Sequence, residues 1–311
     1  AAPEVENDRR SLNIIVGIRR ARKEGRWVGT APLGYKNVRD DFNKPILIPS
    51  DDAPMIKIAF EEIGYEITDN LRSNALFDTS YYDVPQKRKR VIIFGVQKSE
   101  HSTQTVRNFY ARLKGKASKS PMSSKIAFDN LPKIFPCQNS TKHSHTVKLN
   151  GVPLPKNHEP RTHSCRDIEI FKLLANDIRT GIEKYTSSQA LIQLYKEKTG
   201  KDSNFHKYHV IRQDKPSNTI PAHLYKDGLR HIHPDPEQAR SITVREAARL
   251  QSFDDDFEFL GSKSDQYKMI GNAVPPRFAK NIAETILDIF ENETEDLTIK
   301  TGLFNKQVYS H

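Results

Sequence analysis

Residues 240–257, RSITVREAARLQSFDDDF, and residues 271–276, GNAVPP, decide how the rest of this 311-residue chain is read. Ser241 or Thr243 is placed to cap a short helix, with Arg245, Glu246 and Arg249 on adjacent turns and Ala247, Ala248 and Leu250 supplying a close-packing face. GNAVPP reads as a turn that starts a helix: Gly271 and Asn272 tolerate positive φ. Pro275 or Pro276 then presets the first position of an amphipathic run carrying Phe278, Ile282, Ile286 and Phe290. Backbone arranged this way approaches a ligand closely.

The two segments resemble the C-terminal motifs of cytosine-5 DNA methyltransferases, R-x-x-T-x-R-E-x-A-R-L-Q-x-F followed by G-N-A-V-P-P, with Asp254 standing where that family usually has Pro. A third segment carries the same resemblance. Asn74 to Arg90 follows N-A-x-x-Y-x-V-P-Q-x-R-x-R in its order, which puts Gln86, Arg88 and Arg90 at the family's Gln and two Arg positions. By composition alone VPQKRKR would be a solvated charge run at the entry of a strand.

The chemistry the resemblance implies explains those residue types. Methylating C5 of cytosine requires extruding the base from the duplex, attack by a thiolate at C6, neutralisation at N3 by a carboxylic acid, and a methyl group from S-adenosylmethionine. A fixed guanidinium offers paired donors to the base oxygen and a flanking phosphate. The resemblance assigns the base-facing role to Arg90, with Gln86 and Arg88 in support. It assigns S-adenosylmethionine contacts to Asn272, Ala273 and Val274, and the holding of a recognition domain against a catalytic one to Arg245, Glu246 and Arg249.

Composition sets the outer bounds. With 36% hydrophobic and 28% charged residues, and no apolar run long enough to span a bilayer, the chain reads as a cytoplasmic globular protein and not a membrane one. Its net charge of +10 suits a polyanion such as nucleic acid, and the resemblance implies double-stranded DNA with a flipped cytosine. Cys137 and Cys165 are far apart, which argues for a reducing compartment and against a disulfide framework or zinc site. His143, His145, His158 and His163 fit no standard zinc spacing, so no metal is expected.

Taken in order, five regions are expected. Residues 1–63 hold a basic helix over Asn7 to Glu24, the turn-rich EGRWVGTAPLGYK and a second helix over Pro49 to Ile63, an order that resembles the linker helix and recombinase-domain start of large serine recombinases. Residues 64–97 are a methyltransferase sheet fragment, with a strand near Tyr65 to Leu76 and a strand buried on both faces at Val91 to Phe94. Residues 98–239 form a target-recognition region with helices near Arg166 to Ile182 and Ser188 to Lys198, interleaved lysines, and Pro216, Thr219 and His233 at family-matched positions near its end. Residues 240–292 carry the C-terminal motifs and closing helix, and 293–311 form an acidic-led tail. The fold implied is α/β: part of a doubly wound methyltransferase domain with a smaller mixed recognition domain.

One motif is out of place. FPCQNS, residues 135–140, resembles the family's catalytic F-P-C-Q loop, but it follows the arginine motif instead of preceding it. No Glu-Asn-Val segment or F-x-G-x-G turn accompanies it, and a cysteine in a polar loop is inert without a cationic neighbourhood. Cys137 is therefore read as a loop residue. The expected function is DNA (cytosine-5) methylation in a restriction-modification setting, completed by an N-terminal methyltransferase polypeptide. The alternatives are a non-catalytic DNA-binding protein and a recombinase-derived DNA-binding fragment.

Overall fold

The computed structural model describes residues 35–39, 45–49, 53–136, 145–147, 154–202, 208–226 and 228–301. The helix expected at Asn7 to Glu24, Cys137, His143 and the last ten residues lie outside them. In order, the described elements are β1 (Tyr35–Arg39), β2 (Pro45–Pro49), α1 (Ala53–Glu62), β3 (Tyr65–Ile67), α2 (Leu71–Asn74), β4 (Leu76–Asp78), β5 (Lys89–Val91), β6 (Gly95–Gln97) and α3 (Ser102–Gly115). They continue with β7 (Ile134–Pro136), β8 (His145–Val147), α4 (Cys165–Arg179), α5 (Ser188–Thr199), α6 (Val244–Leu250), α7 (Lys263–Asn272) and α8 (Pro276–Thr301). No helix among these residues is long and apolar enough to cross a membrane.

The chain divides into two compact units. The first comprises residues 1–76 and 91–111. Within it β1 pairs antiparallel with β2, and β3 antiparallel with β6 in the register Tyr65↔Gln97. Phe94 stacks on the buried Phe109 with ring centroids 4.0 Å apart. The Tyr110 hydroxyl accepts from the Phe94 N–H and donates to the Ile92 carbonyl, both at 3.0 Å, so it satisfies the backbone where the chain passes from β5 to β6. The expected doubly buried strand at Val91 to Phe94 is corrected here. The Ile92 N–H bonds to Ala75, the chain alternates, and Val91 and Ile93 face outward at 37% and 41% exposure. Among the described residues every sheet has two strands, so the doubly wound sheet of the sequence reading is not present in them.

The second unit comprises residues 77–90 and 112–311. One of its apolar clusters gathers Ile220, Leu224, Ile242, Val244, Ala247, Ala248, Leu250, Phe259, Tyr267 and Ile270 around α6 and α7. Another packs the apolar faces of α4 and α5, Ile170, Phe171, Leu174, Leu191 and Leu194, against Tyr208, Val210 and Ile232. Each such fully buried side chain contributes roughly 1.5–3 kcal/mol relative to exposure. Both helices start where Ser164 and Ser187 cap them, and α5 stops at Gly200 in the left-handed region. Helix α8 seats Phe278 against Tyr82 (5.0 Å) and Phe77 (6.0 Å). It begins at Pro276, one of the two prolines expected to start it, and runs on to Thr301, through the acidic run that the sequence suggested would end it.

Candidate functional site

The site grows from an extended segment, Val84 to Arg90, that lies beside residues 215–220. Gln86 and Ser217 form a parallel bridge, the Lys87 N–H donates to Ser217 O (2.9 Å), and the Thr219 hydroxyl donates to Lys87 O (2.7 Å). Alternation then sends Gln86 and Arg88 inward and Lys87 and Lys89 outward.

Gln86 is wholly buried. Its amide nitrogen donates to Gln251 Oε1 (2.6 Å) and Leu250 O (3.3 Å), and its oxygen accepts the Ile220 N–H at 3.0 Å. Gln251 passes the connection on, donating to Ile270 O and Ala273 O. Arg88, 5% exposed, donates to the carbonyls of Ile220 (3.1 Å), Gly271 (2.9 Å) and Ala273 (3.4 Å). Burial, together with the Arg90 charge, brings its pKa down to about 10, so it remains a cation at neutral pH. Arg90 differs in kind: its side chain is exposed, and its one described hydrogen bond goes to the carbonyl of its neighbour Lys89.

GNAVPP is built differently from the expected turn. Gly271 and Asn272 are the last residues of α7, and neither has positive φ. Gly271 is glycine for another reason: a Cβ there would lie 2.4–2.5 Å from the backbone of Pro221 and Ala222. Asn272 and Val274 are exposed, Val274 at 58%, while Ala273 faces inward through its carbonyl.

Thr243 caps α6 in a full capping box with Glu246, as the Thr-x-x-Glu spacing indicates. Its hydroxyl also meets His158 Nδ1 at 3.0 Å, while His158 Nε2 contacts Pro132 O. Arg240 grips Glu246 with two bonds of 2.7 Å, both side chains being buried. Burial alone would raise the Glu246 carboxyl; the Arg240 charge, aided by His233, reverses this and holds it well below the usual carboxylate range. Arg245 donates to the carbonyls of Lys156, Asp254 and Phe257, fixing two loops to the helix. Arg249 forks onto Asp255 and reaches Asp129 O. It borders a cleft of about 380 Å³, also lined by Asp83, Asn130, Ser252 and Arg277, in which three non-glycine residues, Asp83, Asn130 and Ser252, adopt positive φ.

The structure therefore brings Gln86, Arg88 and Ala273 into one hydrogen-bonded cluster, with Arg245, Glu246 and Arg249 around α6 close by in the same unit. The sequence reading passed over Gln251, Arg240 and the Pro221–Ala222 backbone. Gln251 and Arg240 stood inside the quoted motif; the close approach to Gly271 has no local sequence signal.

Comparison with known proteins follows the same segments. The model of the C-5 cytosine-specific DNA methylase family matches residues 50–288. The type II methyltransferase M.Bpa9945I of Bacillus paralicheniformis is 32% identical over 293 residues, covering 82% of this chain and 62% of its own. M1.HphI of Haemophilus parahaemolyticus is 30% identical over 236 residues, 75% of this chain and 51% of its own, and M.AgeI of Thalassovita gelatinovora is 48% identical over 80 residues, 26% and 18%. The chain thus spans less than two thirds of the length of these relatives. The matches lend no support to a recombinase-like segment at 1–63, and the family match begins inside it. Since that match takes in the arginine segment, the capped α6 and GNAVPP together, the chain belongs to the C-5 cytosine-specific DNA methylase family.

Proposed function

We propose that this chain is the C-terminal portion of a restriction-modification DNA (cytosine-5) methyltransferase, acting on double-stranded DNA with a flipped cytosine. The observation that carries the reading is the division of labour within VPQKRKR. Gln86 and Arg88 direct their polar atoms into the protein, and Arg90, the last of the row, is left exposed with its donors available to a base oxygen. Residues 98–239 read the target, and Arg245, Glu246 and Arg249 hold that region in place.

Asn272 and Val274 offer an exposed amide beside an exposed apolar side chain where α7 ends and the chain turns toward α8, which fits one wall of an S-adenosylmethionine site. When bound, that cofactor supplies the methyl group. Arg90 holds the base, and Arg88, through the Gly271 and Ala273 carbonyls, keeps the base-facing and cofactor-facing segments in register. Cys137 lacks the context of a nucleophile, so the thiolate and the rest of the cofactor pocket belong to an N-terminal methyltransferase half.

The test is transfer of a labelled methyl group to duplex DNA by the chain alone, by Cys137→Ser, and by the chain with the N-terminal half of a relative. Activity is expected only in the complemented reaction and is expected to fall at least 100-fold with Arg90→Ala. Activity of the lone chain that Cys137→Ser abolishes would overturn the assignment of the nucleophile. Absence of methylation in every arm would favour a DNA-binding module.

A further inference from the structure

The arginine segment carries two further cations outside the Gln86, Arg88, Arg90 set. Lys87 and Lys89 alternate with the buried pair, so they stand on the opposite, solvent-facing side of the same extended segment. Two residues of extended chain separate them, roughly 6.6 Å. Neither ammonium has a carboxylate or hydrogen-bond partner among the described residues, although cations elsewhere in this unit do: Lys116 pairs with Glu284 and Asp288, Lys133 with Asp235, Lys156 with Glu258.

The backbone beneath the two lysines is unusually well held for a surface strip. Lys87 is bonded through its N–H to Ser217 O and through its carbonyl to the Thr219 hydroxyl, and the flanking Gln86 and Arg88 are anchored in the interior. Asn218, the outward neighbour across the bridge, is exposed and uncharged. Unpaired cations held side by side on fixed backbone next to an exposed arginine present a concentrated positive potential that favours an anion facing them.

We propose that Lys87 and Lys89 are positioning residues that contact consecutive phosphates of the DNA strand bearing the target base, while Arg90, continuing the inward row past the core, meets the base. One extended segment then separates two jobs by parity: the outer residues fix the backbone of the strand, and the inner row fixes the base. This inference rests on the DNA reading above. Phosphate contact carries no sequence information, so the pair sets affinity and register without choosing the target.

The experiment measures binding of the full chain to two fluorescent duplexes of unrelated sequence across a range of KCl concentrations. Lys87→Gln/Lys89→Gln is expected to make the negative slope of log K against log salt shallower by about 1.8, from about 0.9 for each phosphate that a lysine no longer neutralises. It should weaken both duplexes by the same factor, and Lys87→Arg/Lys89→Arg should restore the slope. Thermal midpoints should be unchanged, since neither side chain packs. An unchanged slope in the glutamine variant, while the wild type binds, overturns this inference and leaves the DNA reading standing. A wild type that binds neither duplex overturns the DNA reading itself.

Discussion

Arg88 and Arg90 are two residues apart and have opposite fates. Replacing Arg88 with Met strands the carbonyls of Ile220 and Gly271 in the interior, while Ala273 O keeps its bond from Gln251, and a loss of about 3 kcal/mol in urea unfolding is expected. Arg90→Ala removes an exposed side chain and should change stability by no more than about 0.5 kcal/mol, so any effect on DNA or methyl transfer would be functional. The same denaturation series read against pH isolates His231. It is buried with neither ring nitrogen at hydrogen-bonding geometry to a partner, and burial, reinforced by His209, pushes its pKa from 6.5 down to about 3 against the weaker opposing effect of the nearby Asn218 and Thr219 backbone. Burial and Arg240 do the same to His233. The unfolded chain therefore takes up these protons first, and stability should fall as pH drops from about 6.5 toward 3. Glu246, depressed below its ordinary 4.5, adds a further loss at the acid end, because its stabilisation is present above that value and disappears as the carboxylate is protonated. His231→Leu should flatten the upper part of that decline, visible as a raised urea midpoint at pH 5; a midpoint that tracks wild type at every pH would refute the assignment to this histidine. The roles of individual side chains were legible where a motif fixed their order, as with Thr243, one of the two caps expected for α6. They were hidden where burial decided the matter, since nothing local distinguishes His231 from a solvated loop histidine.

Short, heavily buried helices carry much of the second unit, and α6 is the clearest case: seven residues, six of them buried. So short a helix does not persist without its cap and its packing. Thr243→Ala removes the capping oxygen and the contact to His158, and should cost about 1–2 kcal/mol in thermal or urea unfolding, with Thr243→Ser recovering most of it. At the end of α7, Gly271→Ala would drive a methyl group into the Pro221–Ala222 backbone, and about 3 kcal/mol of destabilisation is expected, because backbone cannot step aside as a flexible side chain can. If Gly271→Ala unfolds with the wild-type midpoint, the close approach is not a constraint. Helices were read well from sequence: Ser188 to Thr199 differs from expectation by one residue, because a serine cap and a terminal glycine punctuate it. Strands were read poorly. Val91 to Phe94 is apolar enough for a buried strand, but its surroundings, with Tyr110 reaching in to take the backbone bonds, make it a crossing between two short strands.

At the scale of the whole chain, the family was legible because three motifs lie in order, and the sheet was not, because pairing partners are set by residues distant in sequence. The two clusters of the second unit differ in the same respect. The α4–α5 cluster is assembled from residues 170–239, whereas the cluster around α6 and α7 depends on bonds from Gln86 and Arg88 to residues 132 to 185 positions away. A chain ending at residue 262 should therefore keep slow amide exchange in α4 and lose it in segment 84–90; loss of protection in both would show that the clusters are one cooperative unit. The distant anchoring of Arg88 also bears on how the protein is made. The carbonyls of Gly271 and Ala273 leave the ribosome long after the guanidinium they receive, and at about 5–20 residues per second the interval for 185 residues is about 10 to 40 s. Throughout that time the nascent VPQKRKR segment is a row of cations with no interior to enter, open to chaperones, to ribosomal RNA and to proteases, until nearly the last turn of α7 has been synthesised.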